Sequence, residues 1–349
     1  MNPKNAWYVA AWSDECNETI LARTLLGKNT VIFRDKGGVV HALEDRCPHR
    51  GVPLSCGRVI DGNIQCGYHG MTFNGEGKCV SIPAMDRIPQ VINVLRYPVI
   101  EQDGLIWIWL GSPELVNERA APPRWEFHDP ETGWPYRKNT FHIKCNSQLV
   151  IDNLMDLTHL PFVHGKTIGT NPSSEHMNVE MNIEETERGV RFQRWLKNST
   201  PPTTYSNLVQ LQSKVNRWME FEFVAPGAVL QYTGAVDAVH EDIELARSKG
   251  GFHLRIFHGV TSETDDTCFY YWSAAHGFRK DEVDVTERLY KEINSTFMED
   301  VGFLEKQWSN IKMEPDRPLI NLPPDRARVL SNRFVERMCQ VESEISKLN

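Results

Sequence analysis

Cys47-Pro48-His49, then sixteen residues, then Cys66-Gly67-Tyr68-His69: this stretch decides how the chain is read. Each half offers one thiolate and one imidazole. Two thiolates on one iron and two imidazoles on the other make a Rieske [2Fe-2S] centre, whose potential lies between about −150 and +300 mV, above that of an all-cysteine cluster. A chain built around this pattern moves electrons, and residues further along decide their use.

Zinc also accepts two cysteines and two histidines. Its usual spacing, however, is a close cysteine pair followed by a close histidine pair, whereas here each cysteine is coupled to its own histidine. A disulfide is the other alternative. Met1 to Asp14 contains no basic start followed by an apolar run, so no secretory signal is read and a reducing, cytoplasmic setting is expected. Cys16, Cys56, Cys79, Cys145, Cys268 and Cys339 are scattered singly and are expected to be buried small apolar residues.

The 349 residues favour two domains over one, and the 40% hydrophobic content supports real cores. No stretch approaches the roughly 18 apolar residues of a membrane span. The net charge of −8 carries no compensating basic block, which argues against nucleic acid as a partner.

Working outward from the clusters, Trp7–Trp12, Thr30–Phe33, Val39–Leu43 and Leu105–Leu110 read as short strands, with both Cys/His motifs in loops between strands. Gly111-Ser112-Pro113 stops this block, and the polar, proline-bearing run from Pro113 to Pro135 reads as a linker. The boundary is placed at 1–113 and 114–349. Asn146 to Thr158 reads as a helix with Leu149, Asn153 and Asp156 on one side. From Met177 to Ala275 strands dominate, including 190–195, 218–224, 227–233, 252–258 and 268–274. Leu289, Ile293, Phe297, Val301, Leu304, Trp308 and Ile311 recur at steps of three and four, predicting a long amphipathic helix from about Asp281. A last helix is expected over 324–347. The fold class is α+β, an all-β N-terminal domain followed by a large antiparallel sheet wrapping a helix.

Asp156, His159 and His164 form a second constellation. His164 lies about 140° around an ideal helix from His159, and Pro161 implies a distortion able to return it to the same side. Alone, these residues also fit ordinary core or surface histidines. Beside an electron-storing cluster they suggest two ligands of a 2-His-1-carboxylate site for non-haem iron and O2. Asp300 supplies the acid: it sits on the apolar stripe between Phe297 and Leu304, where a carboxylate is costly unless it is paired or metal-bound. A buried aspartate satisfied by a cap or an arginine is the alternative. Glu299 faces a more solvated side, and Glu292 and Glu305 read as surface charges.

With both sites identified, the chain resembles the oxygenase component of Rieske non-haem iron oxygenases. The likeness is carried by Asn5–Ala10, Cys47-Pro48-His49-Arg50, Cys66-Gly67-Tyr68-His69-Gly70, Leu105–Trp109 and Asp152-Asn153-Leu154-Met155-Asp156, and it is closest to the group of vanillate O-demethylase, dicamba O-demethylase and toluenesulfonate methyl-monooxygenase. Met71 stands where many ring-dihydroxylating relatives have tryptophan. The resemblance implies a Rieske domain and a helix-grip (START-like) catalytic domain, with one [2Fe-2S] cluster on Cys47, His49, Cys66 and His69 and one mononuclear Fe(II) on His159, His164 and Asp300. It implies a homotrimer in which electrons pass from His69 of one subunit through Asp156 of the next to His159, with Asn153 near the iron. It also implies a separate flavin/[2Fe-2S] reductase fed by NADH, and monooxygenation of a methyl or methoxy group on an aromatic acid. Ring dihydroxylation is the alternative, followed by a non-catalytic Rieske carrier.

For the substrate, period-2 alternation puts His258 on the apolar face of Phe252, Leu254 and Ile256. The resemblance matches His258 and Gln231 to substrate-contacting positions, against the alternative of a core histidine. Arg194, Arg217 and Arg255 are other candidate anion partners.

Overall fold

The computed structural model describes residues 2–348 apart from Glu18, Ala84, Arg119, 170–178, Glu180 and 240–249. The chain separates into two compact units. One comprises Met1–Arg124, Thr261–Asp265 and Val341–Asn349, the other Trp125–Val260 and Asp266–Gln340.

The first unit is β-rich. Its strands are β1 (Trp7–Trp12), β2 (Leu21–Leu25), β3 (Lys28–Arg34), β4 (Val40–Glu44), β5 (Arg58–Ile60), β6 (Asn63–Gln65), β7 (Thr72–Phe73), β8 (Cys79–Ser81), β9 (Arg96–Tyr97), β10 (Val99–Gln102) and β11 (Leu105–Trp109). They form three antiparallel sheets, ordered β1-β11-β10, β2-β3-β4-β9 and β5-β6-β7-β8. All five residues of β11 are buried, as its unbroken apolar run requires. One core gathers Val31, Phe33, Leu43, Leu54, Ile64 and Phe73 around Cys47 and Cys66.

The second unit is built on a seven-stranded sheet. Its strands are β12 (Tyr136–Ile143), β13 (Met181–Thr186), β14 (Gly189–Ser199), β15 (Val215–Val224), β16 (Ala228–Asp237), β17 (Phe252–Ser262) and β18 (Cys268–His276). The order is β12-β18-β17-β16-β15-β14-β13, a meander extended at one edge by β12. Among the described residues its helices are α1 (Ser147–Leu154), α2 (Leu160–Val163), α3 (Thr203–Leu208), α4 (Val283–Met313) and α5 (Arg326–Leu348), the last of which is counted with the first unit from Val341 on. The stripe of α4 is buried from Val285 through Leu289, Ile293, Phe297, Val301 and Leu304, in one core with Phe192, Phe221, Ile256 and Trp272 of the sheet.

Three expectations are corrected. The helix expected to run to Thr158 ends at Leu154, and Asp156 is extended (φ −129°, ψ 107°). The expected linker holds only short 3-10 turns among its described residues, and from Trp125 on it belongs to the second unit: Trp125 is 1% exposed, its ring 5.7 Å from that of Tyr232. Cys56 is exposed and Cys79 and Cys339 are half-buried, while Cys16, Cys145 and Cys268 are buried as expected. Strand β12 was not anticipated. Positions 177 and 178, where the strand-rich region was expected to open, lie outside the described residues. Among the described residues no helix is long and apolar enough to cross a membrane.

Candidate metal centres and substrate cavity

The two Cys/His loops repeat one backbone design. Cys47 N–H donates to Val52 O (2.9 Å) while Cys47 O accepts from Gly51 N–H (2.9 Å). Cys66 N–H likewise donates to Met71 O (2.8 Å), and Cys66 O accepts from Gly70 N–H (3.1 Å). Gly51 and Gly70 close these turns at φ +72° and +75°, where a side chain would be strained. The thiols of Cys47 and Cys66 are 2% exposed and within hydrogen-bond reach of each other; burial above all pushes the Cys47 thiol up. The rings of His49 and His69 are exposed, their centroids 4.6 Å apart. A pair of adjacent thiols and a pair of adjacent imidazoles fit a Rieske [2Fe-2S] cluster in number and kind.

The second group lies in the other unit. Met155 ends α1, and the Asp156 carboxylate caps the following 3-10 turn, accepting from Thr158 N–H (2.9 Å) and Thr158 Oγ1 (2.7 Å). That turn brings His159 round so that its Nδ1 donates to the Asp156 main-chain carbonyl at 2.6 Å. This orients Nε2 toward Asp300 Oδ1, at 3.5 Å. Helix α2 carries Pro161 in its first turn, where the missing N–H costs nothing, and returns His164 to the same place, with Nε2 3.1 Å from Asp300 Oδ1. The ligand atoms of His159, His164 and Asp300 all lie within 4.8 Å of one another, a donor set fitted to one metal ion with positions left open.

Supporting groups surround the three. Asn153 Nδ2 donates to Asp300 Oδ1 at 3.1 Å. His164 Nδ1 is bonded to Glu299 Oε2 at 2.8 Å, a contact the sequence reading missed when it gave Glu299 to solvent. Burial pulls His164 down, but the carboxylates of Asp300 and Glu299 more than offset it and raise the ring; burial dominates at His159 and lowers it. Asp156 therefore fixes His159 through its carbonyl, while its carboxylate is spent on the cap.

These residues share one cavity with Gln231 and His258. It is walled by alternate residues of β15 (Arg217, Met219, Phe221), β16 (Gln231, Thr233) and β17 (Leu254, Ile256, His258), with α4 above. His258 is fully buried, its Nδ1 2.7 Å from Tyr270 Oη and its Nε2 2.9 Å from Gln231 Oε1. Gln231 Nε2 donates onward to Thr233 Oγ1 at 2.8 Å. Burial pushes His258 down to about 3, so the ring is neutral: the Tyr270 hydroxyl donates to Nδ1, and Nε2–H donates to Gln231. Of the other candidates, Arg217 lies on the cavity wall, while Arg194 and Arg255 are not among its lining residues.

Known protein families match both parts of the chain. Residues 6–93 match the Rieske [2Fe-2S] domain family, and residues 143–340 match the vanillate O-demethylase oxygenase C-terminal domain family. A putative toluene-4-sulfonate monooxygenase iron-sulfur subunit of Comamonas testosteroni is 33% identical, over 97% of this chain and 98% of the relative. A vanillate O-demethylase oxygenase subunit of Pseudomonas sp. (strain HR199 / DSM 7063) is 35% identical over 99% and 97%. The crystal structure of dicamba monooxygenase bound to dicamba matches 98% of both chains with a TM-score of 0.86 at 30% identity. The chain therefore belongs to the Rieske oxygenase family, as an oxygenase component of the group that includes vanillate and dicamba O-demethylases and toluenesulfonate monooxygenase.

Proposed function

We propose that this oxygenase component hydroxylates a methyl or methoxy carbon of an aromatic acid, with electrons delivered by its separate reductase. The observation that carries the reading is the shared cavity, in which His159, His164 and Asp300 face a wall that is apolar except for a few polar groups. When bound, the cluster supplies single electrons and the mononuclear iron supplies O2 activation. Cys47 and Cys66 would hold the buried side of the cluster and His49 and His69 the exposed side. Asp156 and Glu299 keep Nδ1 of the two cavity histidines occupied, leaving Nε2 of each for iron. Apolar side chains of β15 and β17 exclude water around the reacting carbon. Asn153 steadies Asp300. His258 and Gln231 present neutral polar atoms that orient the ring.

A homotrimer belongs to the same proposal, with exposed His69 passing electrons to Asp156 of a neighbouring copy. So do a cytoplasmic setting and a division of labour near residue 113. The test is turnover with NADH, a Rieske-enzyme reductase and a panel of methoxybenzoates, methylbenzoates and toluenesulfonates. Formaldehyde or benzylic alcohol in step with O2 uptake is the expected outcome. A ring cis-diol as the main product would replace this reading with ring dihydroxylation, and failure to bind a second kind of iron would end it.

A further inference from the structure

Arg217 is 2% exposed on the cavity wall, on the same face of β15 as Met219 and Phe221. Its guanidinium lies 4.9 Å from the Tyr205 ring centroid, and one Nη donates to Ile168 O at 3.0 Å. Its Nε is buried with no hydrogen-bond partner, and no carboxylate pairs with it among the described residues. The Tyr205 hydroxyl is a hydrogen-bond partner of Arg217 but offers no countercharge, because burial pushes it up. Arg194, 4% exposed, adds to the positive charge: burial first, then repulsion from Arg217, push it down to about 10. Arg194 leans instead on the Leu157 carbonyl at 3.5 Å and on the charge of Asp156. A buried guanidinium that lines a cavity without a counter-ion is costly, and its planar fork suits an oxyanion arriving from the cavity side. His258 already bonds neutral partners through both ring nitrogens, Tyr270 Oη at 2.7 Å and Gln231 Oε1 at 2.9 Å.

From this we infer that Arg217 is the anchor for the anionic group of the substrate, a ring carboxylate or sulfonate, with His258 and Gln231 serving as neutral orienting groups. The inference rests on the oxygenase reading of the same cavity and names its substrate class. The guanidinium grips the oxyanion, and the ring lies among Met219, Phe221 and Ile256 on the way to the two histidines and Asp300.

The test is equilibrium dialysis under anaerobic conditions with the metal-loaded protein. Its probes are 4-methoxybenzoate and 4-toluenesulfonate, each against its uncharged counterpart, 4-methoxybenzamide and 4-toluenesulfonamide. Wild type should prefer the anions. Arg217→Gln should lose on the order of 10- to 100-fold in anion affinity and leave amide affinity within about twofold. Arg217→Lys should retain part of the preference, because a point charge grips less well than a fork. Cluster absorbance and iron content must match wild type; should Arg217→Gln fail to fold, the anion-to-amide ratio of Arg217→Lys decides, and an unchanged ratio overturns the inference. Wild type without anion preference, or a variant that loses anions and amides alike, also overturns it. Turnover of uncharged aryl ethers in preference to the acids would sink the anchor and spare the oxygenase reading, whereas absence of the second iron would sink that reading itself.

Discussion

Glu299 and Asp156 perform one task by different means, each occupying the nitrogen of a cavity histidine that points away from Asp300. Removing the Glu299 carboxylate frees the His164 ring, so Glu299→Ala should weaken mononuclear iron binding by about 10- to 100-fold. Competition with a chelator measures this, and cluster absorbance should not change. Asp156→Asn separates charge from structure. Asparagine caps a turn as well as aspartate, and the main-chain carbonyl that holds His159 is untouched. Both metals should therefore stay while turnover falls, by on the order of 100-fold if the carboxylate links the two centres; turnover near wild type would remove Asp156 from the path. His258 gives a pH signature. Unfolded, it takes a proton below about pH 6.5; folded, burial delays this to about 3. The folded state thus binds fewer protons between those values, and stability drains as pH falls through that window, by about 1.4 kcal/mol per unit for this group. His258→Gln should lose about 2 kcal/mol less than wild type between pH 6.5 and 5, read from urea midpoints; His159 and His276, also lowered by burial, cancel in the comparison. Glu299 was illegible in the sequence because a stripe of apolar residues marks a face but not the reach of a side chain at its border. The available signal was chemical: a ligating histidine needs an acceptor at its second nitrogen, and the acid next to Asp300 is within reach.

At the scale of elements, α4 was legible because its apolar side chains keep a 3.6-residue period over five turns and more. The alternation in β17 was legible for the same kind of reason, and it put Leu254, Ile256 and His258 on the wall they share. Strand β12 was not, since Tyr136–Ile143 is mostly half-buried at a sheet edge and carries Arg137, Lys138 and His142, which blur the alternation. The break after α1 was missed because Asn153 and Asp156 fit a continuing helix by spacing. Aspartate competes for backbone N–H groups, however, and here it starts a new turn instead of continuing the old one. Leu289, 1% exposed, anchors α4 to the sheet. Leu289→Ala should cost about 2–5 kcal/mol, seen as an earlier thermal transition of the second unit. A shift no larger than that of a surface alanine would mean that the helix is held mainly by its other contacts.

At the scale of the molecule, the proposed path between cluster and cavity requires neighbouring copies, so light scattering should return three times the 40.1 kDa chain mass. A monomer that turns over at full rate would refute the intersubunit path. The two centres also differ in how far apart their ligands lie along the chain. Cys47 through His69 are close together, whereas Asp300 comes 136 positions after His164. At elongation speeds of about 5–20 residues per second, the ribosome reaches Asp300 roughly 7 to 30 s after His164. A nascent chain can thus present a complete set of cluster ligands long before it can hold a lone ferrous ion, and the order of metal acquisition during biosynthesis is written into the linear distance between codons.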